Sequence, residues 1–292
     1  MKNIKLNEEC IHCIISKYLK DYPENAAYEK RIEYIQDVLA ILAAAKPYES
    51  APELVERVSL VRERVFGAPK DFTAIKKRFN ALVMSLEDEI YGEITNSDNI
   101  IKTALKYSMI GNYIDFGVVE NVDEKRLMEF LDKAPEIEIR EDEFTQFETE
   151  LGNAQSLVFL TDNCGEVVLD KLLIKAICSR FPNLNVEVIV RGLPVLNDAT
   201  MDDAKQVGLD SMVSVTDNGC GIAGTCLDRI SADSREKIDT ADVILAKGQG
   251  NFETLRFCEK NVYYAFMCKC KMFADKFGVP QYTGMFINDL RI

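Results

Sequence analysis

A chain of 292 residues is long enough to bury one large core or two smaller ones. With 47% hydrophobic and 28% charged residues it has the composition of a folded globular protein. No apolar run approaches the ~18 residues a membrane span needs, and a net charge of −13 argues against a nucleic-acid partner, because a phosphate backbone demands clustered Lys and Arg.

The amino terminus, Met1-Lys2-Asn3-Ile4-Lys5-Leu6, has charge but no apolar stretch behind it, so no signal peptide is expected and the reading is cytoplasmic. Disulfides are then not the default for the nine cysteines, and Cys164, Cys178 and Cys258 read as small core residues. Apolar residues at helical spacing run through Cys10–Tyr22, Arg31–Lys46, Glu53–Val65, Phe72–Tyr91, Ile100–Ile110 and Glu124–Ala134. Past Glu150 the pattern changes. Short β-branched runs at Ser156–Thr161, Val186–Arg191, Met212–Val215, Asp242–Ala246 and Val262–Met267 each lead through a polar turn into a helix-compatible segment. That rhythm predicts a parallel, two-sided α/β sheet with right-handed crossovers. The expected organisation is a mainly helical region over 1–150 and an α/β core over 151–292.

Polar residues collect at the ends of successive strands. The first strand runs into Asp162-Asn163-Cys164-Gly165-Glu166, the second into Arg191-Gly192-Leu193-Pro194 and then Asn197-Asp198-Ala199-Thr200. The third runs into Asp217-Asn218-Gly219, and the fourth into Lys247-Gly248-Gln249-Gly250-Asn251-Phe252-Glu253. In open parallel sheets ligands bind outside the carboxyl ends of the strands, so these turns are read as one assembled site. Asp162, Asn163 and Asp198 offer only oxygens, a donor set that suits Mg²⁺ or Mn²⁺; the competing reading is that each residue caps the helix that follows. Lys247 leads a Gly-flanked turn into a helix expected near Asn251, an arrangement that binds anions, or else is an ordinary turn with a solvated lysine.

Three further features stay open. Cys10-Ile11-His12-Cys13, with Cys268 and Cys270, reads as packing, as a metal site or as a redox pair. Cys268 and Cys270 alternate like strand residues, which works against a shared ion. Gly219-Cys220-Gly221-Ile222-Ala223-Gly224-Thr225-Cys226 reads either as a closing loop or as a closely packed crossover. Gly111-Asn112-Tyr113-Ile114-Asp115-Phe116-Gly117 interrupts the helical run and reads as part of the site.

Taken in order, Asp162-Asn163-x-Gly-Glu166, Arg191-Gly-x-Pro-x-x-Asn-Asp198-Ala-Thr and Lys247-Gly248-x-Gly-Asn251-Phe-Glu resemble the damage-control phosphatases, formerly domain of unknown function 89. Cys10-x-x-Cys13, Gly111-Asn112-x-x-Asp115 and Lys269-Cys270 resemble its prokaryotic branch, so the resemblance spans nearly the whole chain. It implies a helical amino-terminal region on a Rossmann-like α/β core. It also implies a metal-dependent hydrolase of small phosphorylated metabolites, such as damaged or surplus sugar phosphates or phosphopantetheine-like compounds. Asp162, Asn163 and Asp198 would hold a divalent cation (Mn²⁺, Mg²⁺, Co²⁺ or Ni²⁺). Lys247, Gly248 and Asn251 would hold the phosphate, with Gly111, Asn112, Asp115, Glu166 and Arg191 completing the pocket. The expected catalytic residues are Asp162, Asp198 and Lys247, acting through an activated water or a phosphoaspartate. Two rivals belong to other classes: a carboxyl methyltransferase using S-adenosylmethionine, which would need a Gly-x-Gly-x-x-Gly loop after the first strand, and a non-catalytic thiol or metal sensor built on Cys10 and Cys13. No residue pattern marks an oligomeric state.

Overall fold

A computed structural model describes residues 4–67, 71–112 and 124–292. Helix α1, Glu8–Tyr18, opens under the Asn7 side chain, which accepts from the Glu9 and Cys10 amides. Helix α2 spans Tyr28–Ala44, and α3, Ala51–Phe66, starts from a Ser50–Glu53 capping box. These three helices bury a core of their own, centred on Ile14, Tyr34, Val38, Leu54 and Val58.

The next five helices are α4 (Thr73–Met84), α5 (Glu87–Thr95), α6 (Ile100–Gly111), α7 (Glu124–Leu131) and α8 (Glu141–Asn153). The single helix expected over Phe72–Tyr91 is thus two. The Ser85 hydroxyl donates to the Leu82 carbonyl, a local bond that competes with helix continuation. Helix α8 was not foreseen from the sequence, because its acidic segment carries only three apolar residues, Phe144, Phe147 and Leu151, toward the interior.

Among the described residues all strands follow residue 155. They are β1 (Ser156–Leu160), β2 (Asn185–Val190), β3 (Ser214–Asp217), β4 (Val243–Lys247), β5 (Val262–Met267) and β6 (Gly284–Asn288), in spatial order β3-β2-β1-β4-β5-β6. The first five pair in parallel, and β6, also unforeseen, joins the edge antiparallel to β5. The central register sets Leu160 of β1 opposite Ile189 of β2 on one side and Ala246 of β4 on the other. The chain leaves β1 toward β2 and β3, then crosses back to β4. The carboxyl ends of β1 and β4 therefore flank the crevice where ligands bind in such sheets.

Helices cover both faces. On one face α9 (Glu166–Arg180) joins α4 to α8 in a core that includes Phe79, Leu105, Phe144, Phe159, Leu173 and Tyr263. On the other, α11 (Ala232–Thr240), α12 (Gly248–Leu255) and α13 (Lys271–Phe277) bury Ile238, Phe252 and Phe273 against Leu160, Tyr264 and Phe266. The short helix α10 (Met201–Gln206) follows β2. The compositional change near residue 150 marks where strands begin, while α4 to α8 share one core with the sheet. No helix among the described residues is long and apolar enough to cross a membrane.

Candidate functional site at the carboxyl ends of β1, β2 and β4

The turn after β1 and the segment after β2 are laced together by backbone hydrogen bonds. Ala199 N donates to Asp162 O (2.6 Å), Cys164 N to Asn197 O (2.8 Å) and Arg191 N to Ala199 O (2.9 Å). Asn163 and Asp198 stand opposite each other in an isolated antiparallel bridge. This ladder brings the residues expected to share a cation, 35 positions apart in the chain, to one place.

Side chains fix the donor atoms. Asp162 Oδ2 accepts from Asn163 Nδ2 (2.7 Å) and from Asn112 Nδ2 (2.7 Å), which reaches in from the end of α6. Both amides also donate to Glu166 Oε2, at 2.9 Å and 3.0 Å. With its nitrogen spent on two carboxylates, the Asn163 amide has its carbonyl oxygen left to offer a ligand. Asp198 Oδ2 accepts from Arg191 Nε (2.7 Å). No hydrogen bond to Asp162 Oδ1, Asp198 Oδ1 or Asn163 Oδ1 forms among the described residues. Two carboxylate oxygens and one amide oxygen are therefore the atoms that fit a hard divalent cation, with water completing its shell.

The electrostatics agree with that fit. Burial, together with the Asp198 and Glu166 charges, pushes the Asp162 carboxyl up to about 8, and Arg191 and Lys269 only partly offset them. Burial likewise raises Asp198 despite its bond to Arg191. Such a cleft holds more negative charge than its own cations neutralise, and a bound cation reverses that balance.

Arg191 is almost wholly buried. Its Nη1 reaches Asn251 Oδ1 (3.2 Å) and Thr225 Oγ1 (3.4 Å), while Nη2 has no hydrogen-bond partner among the described residues and stands 3.5 Å from Asp162 Oδ1. A buried guanidinium nitrogen without an acceptor, aimed at the cation-accepting oxygens, fits an oxyanion.

Lys247 has a different task from the one expected. Its ammonium is completely buried and donates to Glu166 Oε1 (2.7 Å), Asp170 Oδ1 (2.7 Å) and Ser108 O (3.0 Å). Burial lowers its proton affinity, but Asp170 and Glu166 together outweigh that and keep it charged. With three acceptors on its three protons, it has none left for a phosphate. It neutralises Glu166, which in turn orients Asn112 and Asn163. Asn251 is equally committed: Nδ2 donates to Thr161 O (3.0 Å) and Lys247 O (2.7 Å), and Oδ1 accepts from Arg191 and Thr225. The helix expected near Asn251 begins at Gly248 instead.

Gly248 touches the site through its backbone. It sits at φ +78°, and a Cβ there would stand 2.0 Å from Asp162 Oδ2. Gly248→Ala is expected to cost roughly 2–4 kcal/mol from the left-handed backbone and the overlap together, and to displace the Asp162 carboxylate. Chemical denaturation and Mn²⁺ titration of that variant check this; wild-type values for both would contradict the packing described. Gly111 is also tight, a Cβ there meeting Leu169 Cδ1 at 2.9 Å. Asp115, expected in the pocket, lies outside the described residues.

Lys269 follows β5 and is half-buried, with its amide held by Gln249 Oε1 (3.0 Å). Its charge acts on Asp162, so the lysine of the Lys269-Cys270 motif is a site cation, a role the sequence reading had not given it. Lys76 and Asn80, on α4, also reach the site turns and looked in the sequence like ordinary polar positions of an amphipathic helix.

The Gly219–Cys226 loop is a packed crossover: Cys220, Ile222 and Cys226 are buried together, and a Cβ on Gly224 would meet Gly250 O at 2.6 Å. Cys10 is buried and Cys13 exposed, both as free thiols, and among the described residues no three His, Cys, Asp or Glu side chains form a metal-binding group. The turn after β1 has one glycine, Gly165, covered by Phe79, and so lacks the glycine-rich loop a nucleotide cofactor needs.

These features define a doubly covered, mainly parallel α/β protein with a buried cluster of oxygen ligands, negative on balance, at the switch point of its sheet. The chain belongs to the family described as the damage-control phosphatase ARMT1-like domain, which matches residues 6–285. It is 30% identical over 286 residues to a damage-control phosphatase of Archaeoglobus fulgidus, covering 94% of this chain and 96% of that one. It is 29% identical over 282 residues to a damage-control phosphatase of Pyrococcus horikoshii, covering 95% and 96%. A crystal structure of a DUF89 family protein from Pyrococcus horikoshii superposes with a TM-score of 0.82 at 25% identity, covering 97% of this chain and 99% of that one.

Proposed function

We propose that this chain is a metal-dependent phosphomonoesterase acting on small phosphorylated metabolites, of the damaged or surplus sugar-phosphate or phosphopantetheine-like kind. One observation carries the reading. Asp162, Asn163 and Asp198 present oxygens at one point where negative charge outweighs positive, and Arg191 Nη2, without a hydrogen-bond partner among the described residues, faces the same point. The names of the relatives supply the reaction class.

Asp162, Asn163 and Asp198 would hold a divalent cation, which when bound supplies polarisation of a phosphoryl oxygen and a more acidic water. Arg191 Nη2 and the Lys269 ammonium take the equatorial oxygens of the phosphate, where charge develops in phosphoryl transfer. Glu166 and Asn112 keep the Asp162 carboxylate in one rotamer. Lys247 supplies the counter-charge to Glu166, whose other oxygen accepts both amides. An aqueous nucleophile and an attacking carboxylate are both compatible with these positions.

The test is a phosphate-release screen of the EDTA-treated protein over sugar phosphates and phosphopantetheines, with Mg²⁺, Mn²⁺, Co²⁺ and Ni²⁺ added separately. Release is expected with at least one cation and none without. Release that is unaffected by EDTA contradicts the metal dependence, and no release with any cation contradicts the phosphatase reading.

A further inference from the structure

Both turns that carry the site are gripped from outside the sheet by one face of α4, residues 76, 79 and 80. Lys76 Nζ donates to the backbone carbonyl of Asp198 at 2.7 Å, across 122 residues of sequence, and pairs with Asp203 Oδ2 at 2.6 Å. Asn80 Oδ1 accepts from the Gly165 amide at 2.6 Å, and its Nδ2 donates to Asp203 Oδ1 (2.9 Å) and Gln206 Oε1 (3.0 Å). Asp203 also caps the α10 helix, accepting from Thr200 N and Thr200 Oγ1, both at 2.8 Å. Phe79 lies against Gly165, where a Cβ would stand 2.1 Å from its ring.

Neither polar side chain touches the place where a cation or phosphate would sit. Asn80 is fully buried and Lys76 nearly so. Burying an ammonium is costly unless its bonds are good ones, so a lysine spent on one backbone carbonyl and one carboxylate calls for a reason. The carbonyl it holds belongs to Asp198, and the amide Asn80 holds is two residues from Asn163.

We propose that Lys76 and Asn80 are positioning residues that set the separation of the Asp162-Asn163 turn from Asp198, so that the helical layer fixes the geometry of the cation site. Lys76 anchors the Asp198 backbone, Asn80 anchors the Asp162–Glu166 turn, and Asp203 ties the two anchors into one unit. Cation sites need their ligands within about 0.5 Å of the productive geometry. Without the clamp each turn would find its own position, and the cation would have to bring them together on binding. The inference rests on the reading of the cleft as a divalent-cation site.

The experiment is calorimetric titration of Mn²⁺ into the EDTA-stripped full chain, for the wild type, Lys76→Met, Lys76→Arg and Asn80→Ser, with thermal unfolding of each metal-free protein. Removing an outer-shell partner of a metal ligand weakens binding roughly ten- to a hundredfold. Lys76→Met and Asn80→Ser are expected to lose Mn²⁺ affinity in that range below their melting temperatures. Lys76→Arg, which keeps a charged donor, is expected to recover most of it. Unchanged Mn²⁺ affinity in the folded variants, with only a lower melting temperature, overturns the clamp while leaving the cation reading intact. A wild type that binds no Mn²⁺ overturns the cation reading and the clamp with it. If Lys76→Met does not fold, Asn80→Ser and Lys76→Arg decide the matter alone.

Discussion

Asp162→Asn is expected to abolish cation-dependent phosphate release and at the same time to make the metal-free protein more stable. Losing an outer-shell partner of a metal ligand already costs roughly ten- to a hundredfold, so losing a ligand's charge should cost more than a hundredfold in activity. The gain in stability follows from the electrostatics. Burial and the neighbouring Asp198 and Glu166 charges raise the Asp162 carboxyl to about 8, so the folded protein binds this proton more tightly than the unfolded chain does. Such a group costs stability as the pH rises from the ordinary carboxylate range through about 8, the reverse of a salt-bridged aspartate. The metal-free melting temperature should therefore fall between pH 5 and pH 8, and saturating Mn²⁺ should restore it. Asp162→Asn should flatten that fall. Melting curves of the two proteins with and without Mn²⁺ check each part; a variant that melts below the wild type at pH 8 without metal would contradict it.

Lys247→Met is expected to have the largest effect on stability. It leaves Glu166 and Asp170 buried with no counter-charge, and breaking a buried pair by removing one partner costs roughly 3–5 kcal/mol. In a chain of this size that corresponds to a fall in melting temperature of about 10 °C. Asp170 already has its carboxyl raised by burial, which Lys247 opposes, and its Oδ2 lacks a hydrogen-bond partner among the described residues. In the variant Asp170 should therefore take up a proton, so the loss should be smaller at pH 5 than at pH 8. Had Lys247 been an exposed phosphate ligand, its removal would raise KM and leave the melting temperature in place. That pattern would contradict the buried role.

The difference between those outcomes shows what the sequence could carry. The strand ends were legible because apolar runs give way to polar, Gly-containing turns after the first four strands, and the sheet then brings those ends to a common edge. The pairing of Asp162-Asn163 with Asp198 could be foreseen for that reason. The direction of the Lys247 side chain could not. It depends on α6 and α9 lying over the end of β4, which sets Ser108 and Asp170 139 and 77 residues away beside it. A Gly-flanked lysine before a helix reads as an anion site whether its ammonium faces the cleft or the core. Lys76 and Asn80 were hidden for a related reason: they occupy α4 at a spacing where polar residues normally meet water, and only the docking of that helix turns them inward. Edge strand β6 is five residues long, with a glycine at its start and an asparagine at its end, too short to establish a period.

The central claim is that Asp162, Asn163 and Asp198 hold one divalent cation at the edge between β1 and β2. Anomalous diffraction from a crystal grown with Mn²⁺ tests it most directly. A single strong peak is expected within coordination distance of Asp162 Oδ1, Asn163 Oδ1 and an Asp198 carboxylate oxygen. A protein that binds Mn²⁺ in solution but shows its peak at other residues would contradict it.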